Sequence, residues 1–309
     1  MSFGKKLFSC LSWITVISWS VLGVVILALV GTLASGIFFL SQSGDEDGKI
    51  GIVPAHSVGV VELSGEIMES KKIIKDLDRF SRNKEIKALV VKIDSPGGAV
   101  GASEEIFRAI KRVDAVKPVI CSLGNIAASG GLYASMGCRK IYTQNGTLTG
   151  SIGVIMMMPN VSEIVAKLGF QMNIVKSGRF KDTGSPFRKM TEDDQSLIQG
   201  LINQTYEQFV KVISESRKIP VEDVKKFADG RIILGEQSVA LKLADVVGDL
   251  HDAANDALTQ AGEPNQKPHL VYPPKKKGIM GFVEGAEESV FFRLFRMLSG
   301  PKIYYLALS

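Results

Sequence analysis

Histidine and cysteine are scarce in this chain: three of each among 309 residues. His56 adjoins a charge-rich segment, His251 and His269 lie toward the carboxyl end, and none sits in a glycine-rich or polar motif. A Ser-His-Asp triad would have to be assembled from distant positions, so histidine is a poor candidate base. Cys10, Cys121 and Cys138 form no CxxC or Cys/His spacing, which argues against a zinc site. Cys121 and Cys138 read as small buried residues rather than as a disulfide pair. Neither HExxH nor GxxxxGKS/T occurs, which lowers metalloprotease and P-loop readings. The formal charge of +5 is dispersed. It forms neither the long basic run nor the aromatic interleaving of a nucleic-acid groove. No motif calls for a metal or an organic cofactor.

What the chain does have is a long charge-free segment near its start. Leu7 to Gly44 contains no charged residue, and Val21 to Leu40 is its most apolar part. Roughly 20 apolar residues suffice to cross a bilayer. Lys5 and Lys6 precede the segment, and Asp45, Glu46 and Asp47 follow it. Positive residues stay on the cytoplasmic side, so this pattern places the amino terminus inside and the remainder outside. A cleaved secretory signal is the competing reading, with Ala34-Ser35-Gly36 as small residues. The apolar stretch is longer than a usual signal core and continues through Ile37 to Leu40, which favours an uncleaved anchor. The expected layout is a cytoplasmic segment 1–12, a transmembrane anchor 13–40, a linker 41–55, a main domain 56–263 and a tail 264–309. On this pattern the domain at 56–263 lies outside the cytoplasmic membrane.

Beyond the linker, strand and helix patterns alternate. Val58–Leu63 and Ile86–Ile93 are apolar and β-branched, as strands of a parallel sheet covered on both faces are. Ile73, Ile74, Leu77 and Phe80 recur at helical spacing, as do Ile106, Ala109, Ile110 and Val113. Further strands are expected at 118–123, 140–143 and 171–175, and a helix at 161–168. Thr191-Glu192-Asp193-Asp194 is a helix start that opens a long helix to about Lys218. Repeated β-α units imply an α/β domain around a mostly parallel sheet. In the tail, Lys275 to Lys277 are basic, and Val290, Phe291, Leu294, Phe295 and Leu298 share one helical face. A membrane-surface helix and a helix packed on protein fit that pattern equally.

Three short segments carry candidate chemistry: Asp94-Ser95-Pro96-Gly97-Gly98 at a strand end, Ala127-Ala128-Ser129-Gly130-Gly131 at a helix start, and Ser177-Gly178 through Lys181-Asp182 to Gly184-Ser185-Pro186. A serine at a helix start can face a cleft while free amides point the same way. Such amides suit the oxyanion of an acyl-transfer intermediate, and Gly97 and Gly98 allow close backbone approach. Ser129 capping its helix is the structural alternative. Lys181 reads locally either as a solvated loop lysine or as a base. The second role requires a neutral amine, so the neighbouring Asp182 carboxylate must point away.

Taken in order, these segments, together with Gly146-Thr147-Leu148-Thr149-Gly150-Ser151-Ile152-Gly153, resemble the short bacterial form of the signal peptide peptidase A (SppA) family over roughly Val58 to Ala261. The resemblance implies a Clp-protease/crotonase-like fold and a serine peptidase with a Ser-Lys dyad. It puts the nucleophile at Ser129, the base at Lys181, a lysine-orienting hydroxyl at Ser151 and the oxyanion-hole amides at Gly98 and Gly130. Leu132 stands where the family often has an aromatic residue. The family further implies a homo-oligomeric ring whose dyads are shared between adjacent subunits, with remnant signal peptides and other unfolded peptides as substrates. The alternatives are a crotonase-like acyl-CoA enzyme, which needs neither anchor nor Ser/Lys pair, and a catalytically inactive membrane scaffold ring.

The charge asymmetry makes a topological prediction. A reporter fused after Ala261 should be active on the outer side of the cytoplasmic membrane; activity confined to the cytoplasm would contradict the orientation.

Overall fold

The computed structural model describes residues 53–274 and 303–306. Along the chain these form β1 (Ser57–Ser64), α1 (Lys71–Arg82), β2 (Ile86–Ser95), β3 (Gly97–Ala99), α2 (Val100–Asp114), β4 (Val119–Ala127), α3 (Gly130–Ser135), β5 (Lys140–Thr143), β6 (Leu148–Gly150) and β7 (Ile155–Met156). Then come α4 (Ser162–Lys167), α5 (Glu192–Arg217), α6 (Val221–Lys225), β8 (Ile232–Leu234), α7 (Gly235–Ala240), β9 (Val246–Val247), α8 (Leu250–Gln260), β10 (His269–Val271) and β11 (Ile303–Leu306).

The main sheet runs β10-β1-β2-β4-β5-β9 with every pairing parallel. Parallel neighbours need crossovers, and helices supply them on both faces. Successive strand residues point to opposite faces, and β1 shows the division. Val58 packs with Ala88, Val90 and Ile120 against Ala253, Ala254, Ala257 and Leu258 of α8. Gly59 faces the other way, where an added Cβ would lie 2.7 Å from the Phe80 ring of α1. The missing side chain is what lets Phe80 reach full burial. Because both faces are covered, β1, β2 and β4 are nearly continuous apolar runs.

Two smaller pairings lie at the carboxyl ends of the strands. β6 pairs parallel to the end of β4 and antiparallel to β8. β3 and β7 flank β11 in a separate antiparallel sheet. β10 and β11 come from the segment read as the tail, and β10 adds parallel to β1.

Several expectations change. No strand forms at 171–175: these residues are exposed, and Val175 is fully so. A β-pattern without a neighbouring strand has no ladder to join. Cys121 and Cys138 are joined in a disulfide, contrary to the reading of two unpaired residues. β4 and β5 are neighbours with Cys121 opposite Ile141. That pairing brings Cys138, just before β5, to a Cα–Cα distance of 5.8 Å, which sequence spacing could not show. The anchor 13–40 and the apolar face at Val290–Leu298 lie outside the described residues. Among the described residues no helix is long and apolar enough to cross a membrane.

The disulfide closes a short loop, with the two cysteines 17 positions apart. A loop of that size is worth about 3 kcal/mol. Reduction should therefore lower the thermal midpoint of the parent, and reductant should not change it further in Cys121→Ser/Cys138→Ser. Equal midpoints for the parent with and without complete reduction would contradict the pairing.

Candidate active site

The site is built where β2 and β4 end side by side. The Asp94 carboxylate accepts from the Ile126 N–H (3.2 Å) and Asn125 Nδ2 (3.2 Å). The Ser95 carbonyl accepts from the Ala128 N–H (3.0 Å), and Ser95 Oγ from the Gly97 N–H (3.1 Å). These bonds fix the glycine turn and the 125–129 segment to one another. Gly97 has φ +103°, and a Cβ there would lie 2.7 Å from the Gly130 nitrogen. A Cβ on Gly98 would lie 2.1 Å from the Ile67 carbonyl oxygen. Both positions are closed to larger residues by backbone proximity.

Ser129 stands at the junction of β4 and α3 with φ 52° and ψ −114°. Three backbone bonds hold this geometry. The Ser129 N–H donates to the Gly150 carbonyl (2.8 Å), the Tyr133 N–H donates to the Ser129 carbonyl (2.8 Å), and the Gly131 N–H donates to the Ala128 carbonyl (2.9 Å). The Ser129 side chain does not cap α3, so the helix-cap alternative is not realised. Its Oγ is buried and has no hydrogen-bond partner among the described residues. A backbone in this region costs about 1–3 kcal/mol, and an unpaired buried hydroxyl about 1–3 kcal/mol. Both costs fall on one residue, and neither serves the packing of the core.

The other candidates divide into those joined to the Ser129 segment by close backbone contacts and one that is not. A Cβ on Gly130 would lie 3.1 Å from the Gly98 nitrogen, so the two amides assigned to the oxyanion hole are neighbours. Ser151 follows Gly150, whose carbonyl holds Ser129, and has φ 50° with its N–H donating to the Arg231 carbonyl (2.8 Å). It is buried. Thr149 Oγ1 donates to the Ala127 carbonyl (2.7 Å), which ties β6 to the Ser129 segment a second time. Lys181, by contrast, is exposed in a turn where its N–H donates to the Gly178 carbonyl (3.1 Å). It makes no hydrogen bond to Ser129 Oγ within the chain.

Asp182 does turn away from its lysine neighbour. Its carboxylate accepts from Arg188 Nε and Nη2 (2.9 Å each) and from Lys176 Nζ (2.6 Å). Arg188 also reaches Asp194 (2.5 Å), which accepts from Thr183 Oγ1 (2.6 Å) and the Thr191 N–H (3.0 Å). This network pins the Lys181 turn to the capping box of α5. The Arg188 guanidinium, followed by Lys176, holds the Asp182 carboxyl far below the usual carboxylate range. Arg188 and then Thr183 do the same for Asp194. Sequence reasoning found Asp182 as a hazard and missed Arg188 as its remedy; the six-residue spacing has no local signature. It also missed Asp94 as a clamp, although that residue lies in a quoted segment.

Residues 111–263 match the model of peptidase family S49, and residues 56–145 match that of Clp protease. Two similar proteins bear the name "Putative protease". One, from Synechocystis sp., is 42% identical over 204 residues, covering 65% of this chain and 73% of that one. The other, from Methanocaldococcus jannaschii, is 30% identical over 276 residues, covering 84% and 87%. The chloroplastic serine protease SPPA of Arabidopsis thaliana is 32% identical over 215 residues, covering 69% of this chain and 32% of its own. The α/β fold described above is thus Clp-protease-like.

The carboxylate network sets an acid limit on the Lys181 turn. Carboxyls depressed by folding stabilise fully above their unfolded pKa and lose that contribution as pH falls through the folded value. Limited proteolysis between Lys176 and Thr191 should therefore stay constant from neutral pH to about 4 and rise below that. Arg188→Gln should be cut readily at neutral pH. Equal protection of parent and Arg188→Gln would show that the network does not order the turn.

Proposed function

The chain belongs to peptidase family S49 and is a serine peptidase; from that premise we propose that it hydrolyses remnant signal peptides and other unfolded peptides through Ser129. The observation that carries this reading is Ser129 itself: a buried, unpartnered hydroxyl on strained backbone beside two closely approaching glycine turns. In the proposed mechanism Ser129 Oγ attacks the peptide carbonyl while a neutral lysine amine takes its proton. The Gly98 and Gly130 amides receive the oxyanion. The lysine then protonates the leaving amine and activates water for deacylation. Lys181 is that base and Ser151 its orienting hydroxyl.

Lys181 is assigned to the Ser129 of an adjacent subunit. Two features support this. The hydroxyl has no partner among the described residues. The segment bearing Lys181 also exposes Leu168 (68%), Phe170 (69%), Met172 (55%) and Val175 (100%). Exposed large apolar side chains clustered within one short segment fit an interaction face, and a second copy in a closed ring would cover them. A membrane anchor at 13–40 with the domain 56–263 outside the cytoplasmic membrane completes the proposal, with the linker at 41–55. The Cys121–Cys138 disulfide supports an oxidising compartment. Membership of a peptidase family displaces the acyl-CoA alternative.

Ser129→Ala and Lys181→Ala should each reduce hydrolysis of a peptide ester by at least about 10³-fold, the scale of losing a nucleophile or its base. Lys181→Arg should fail similarly, because a guanidinium does not deprotonate. Ser151→Ala should be milder. Mixed rings of Ser129→Ala and Lys181→Ala subunits should regain activity, because some interfaces then carry both intact residues. No recovery in demonstrably mixed rings would contradict the shared dyad, and full activity of Ser129→Ala would favour the inactive-scaffold alternative for this site.

A further inference from the structure

The buried stripe of α2 consists of Ser103, Ile106, Ala109, Ile110 and Val113, and Ser103 is its one polar member. It is fully buried. Alanine is a better helix former than serine, and enclosing a hydroxyl adds a desolvation cost that alanine avoids. Helix stability and core packing would therefore both be served by alanine here, so the hydroxyl calls for another reason.

That hydroxyl bears on both halves of the proposed oxyanion hole. On one side Ser103 Oγ donates to the Ala99 carbonyl (3.0 Å). Ala99 directly follows Gly98, and its N–H donates to the Ile67 carbonyl (2.7 Å). The residue next to Gly98 is thus held at its N–H and at its carbonyl. On the other side Ser103 Oγ packs against Gly130: a Cβ on Gly130 would lie 2.5 Å from it. The same point lies 3.1 Å from the Gly98 nitrogen. The hydroxyl oxygen and the Gly98 nitrogen therefore flank the space that Gly130 leaves by having no side chain. The bonds of Asp94 and Ser95 reach Asn125, Ile126 and Ala128, all before the nucleophile. Ser103 meets the chain after it.

We propose that Ser103 is a positioning residue for hydrolysis: its hydroxyl sets the separation of the Gly98 and Gly130 amides that receive the oxyanion. The inference rests on the peptidase reading above and deepens it, because it names the side chain that holds the two donors in register. Without Oγ the Ala99 carbonyl loses a donor, and a gap one oxygen wide opens against Gly130. The two glycines have no side chains of their own to wedge them, so their amides drift from the geometry that developing charge requires. The loss falls on the transition state rather than on the bound substrate. Ser103 takes no part in the proton path between Ser129 and the lysine, so the pH dependence of the reaction stays that of the base.

Steady-state hydrolysis of a peptide ester by the detergent-purified full chain tests this, with a peptide aldehyde as inhibitor. Ser129 Oγ adds to the aldehyde carbon, and the former carbonyl oxygen enters the hole, so the inhibition constant reports on the two amides. Ser103→Ala should lower kcat by about 10-fold to 10²-fold, less than the loss of a whole oxyanion donor. KM and the pH profile should match the parent, and aldehyde binding should weaken by the same factor as kcat. Ser103→Thr keeps a hydroxyl that can bond the same carbonyl within a helix and should recover most of the parental kcat. Ser103→Cys fills the space with a weak donor and should fall below Ser103→Thr, which keeps the comparison open if Ser103→Ala does not assemble. Parental kcat in Ser103→Ala, a raised KM at unchanged kcat, a shifted pH profile, unmoved aldehyde binding, or Ser103→Cys equal to Ser103→Thr would overturn the proposal and leave the peptidase reading intact. A parent no more active than Ser129→Ala would overturn that reading and this proposal with it.

Discussion

The hydrogen bond from the Ser129 N–H to the Gly150 carbonyl, at 2.8 Å, is the constraint on which the site depends. It holds a non-glycine residue at φ 52°, a region such residues rarely occupy. It also joins the end of β4 to the end of β6, so that Ser129 and Ser151 sit on consecutive turns. Both serines have left-handed φ, and the glycine between them in this linkage, Gly150, does too, at +77°. Released from Gly150, Ser129 would relax toward ordinary helical or extended geometry, and its hydroxyl would find water or a backbone partner.

That local strain is sustained because the surroundings over-determine it. The parallel sheet is buried on both faces, and its strand ends are fixed by register. Asp94 and Ser95 then fasten the glycine turn of β2 to the Ser129 segment of β4 through three hydrogen bonds, and a fourth, from the Gly97 N–H to Ser95 Oγ, closes the turn itself. None of these residues belongs to the proposed proton pathway. They hold Gly98 and Gly130 close together, which suits the oxyanion hole proposed for their amides. The lysine end of the site is organised differently. It lies on an exposed turn held by charge, with Arg188 drawing Asp182 away from Lys181 and toward Asp194. A rigidly held Ser129 and a separately braced Lys181 suit the proposal of a dyad shared between subunits.

Much of this was legible in the sequence for identifiable reasons. The strands β1, β2 and β4 announce themselves because burial on both faces requires continuous β-branched runs. α1 and α2 do so because burial on one face leaves a periodic stripe. The Thr191 start of α5 is read from its acids, and the structure shows the full capping box with Asp194. The Ser129 segment was legible as small residues at a helix start, although α3 begins only at Gly130, because Ala127 still belongs to β4. The features that were not legible depend on long-range placement. The Cys121–Cys138 pairing follows from β4 lying beside β5. The 171–175 pattern is apolar and strand-like, yet no strand among the described residues meets it. The position of Tyr305 against Tyr133 and Phe209 spans most of the domain in sequence, and no local motif marks it.

Ser129 is proposed as the nucleophile, activated by a lysine amine. Treatment of the assembled, membrane-extracted protein with a serine-directed acylating probe, followed by peptide mapping, tests that claim most directly. One predominant adduct is expected on Ser129 Oγ, with labelling falling by at least about 10²-fold in a correctly assembled Lys181→Arg protein, the lower range for loss of a general base. An adduct confined to another serine, or unchanged labelling of Ser129 in Lys181→Arg, would contradict it.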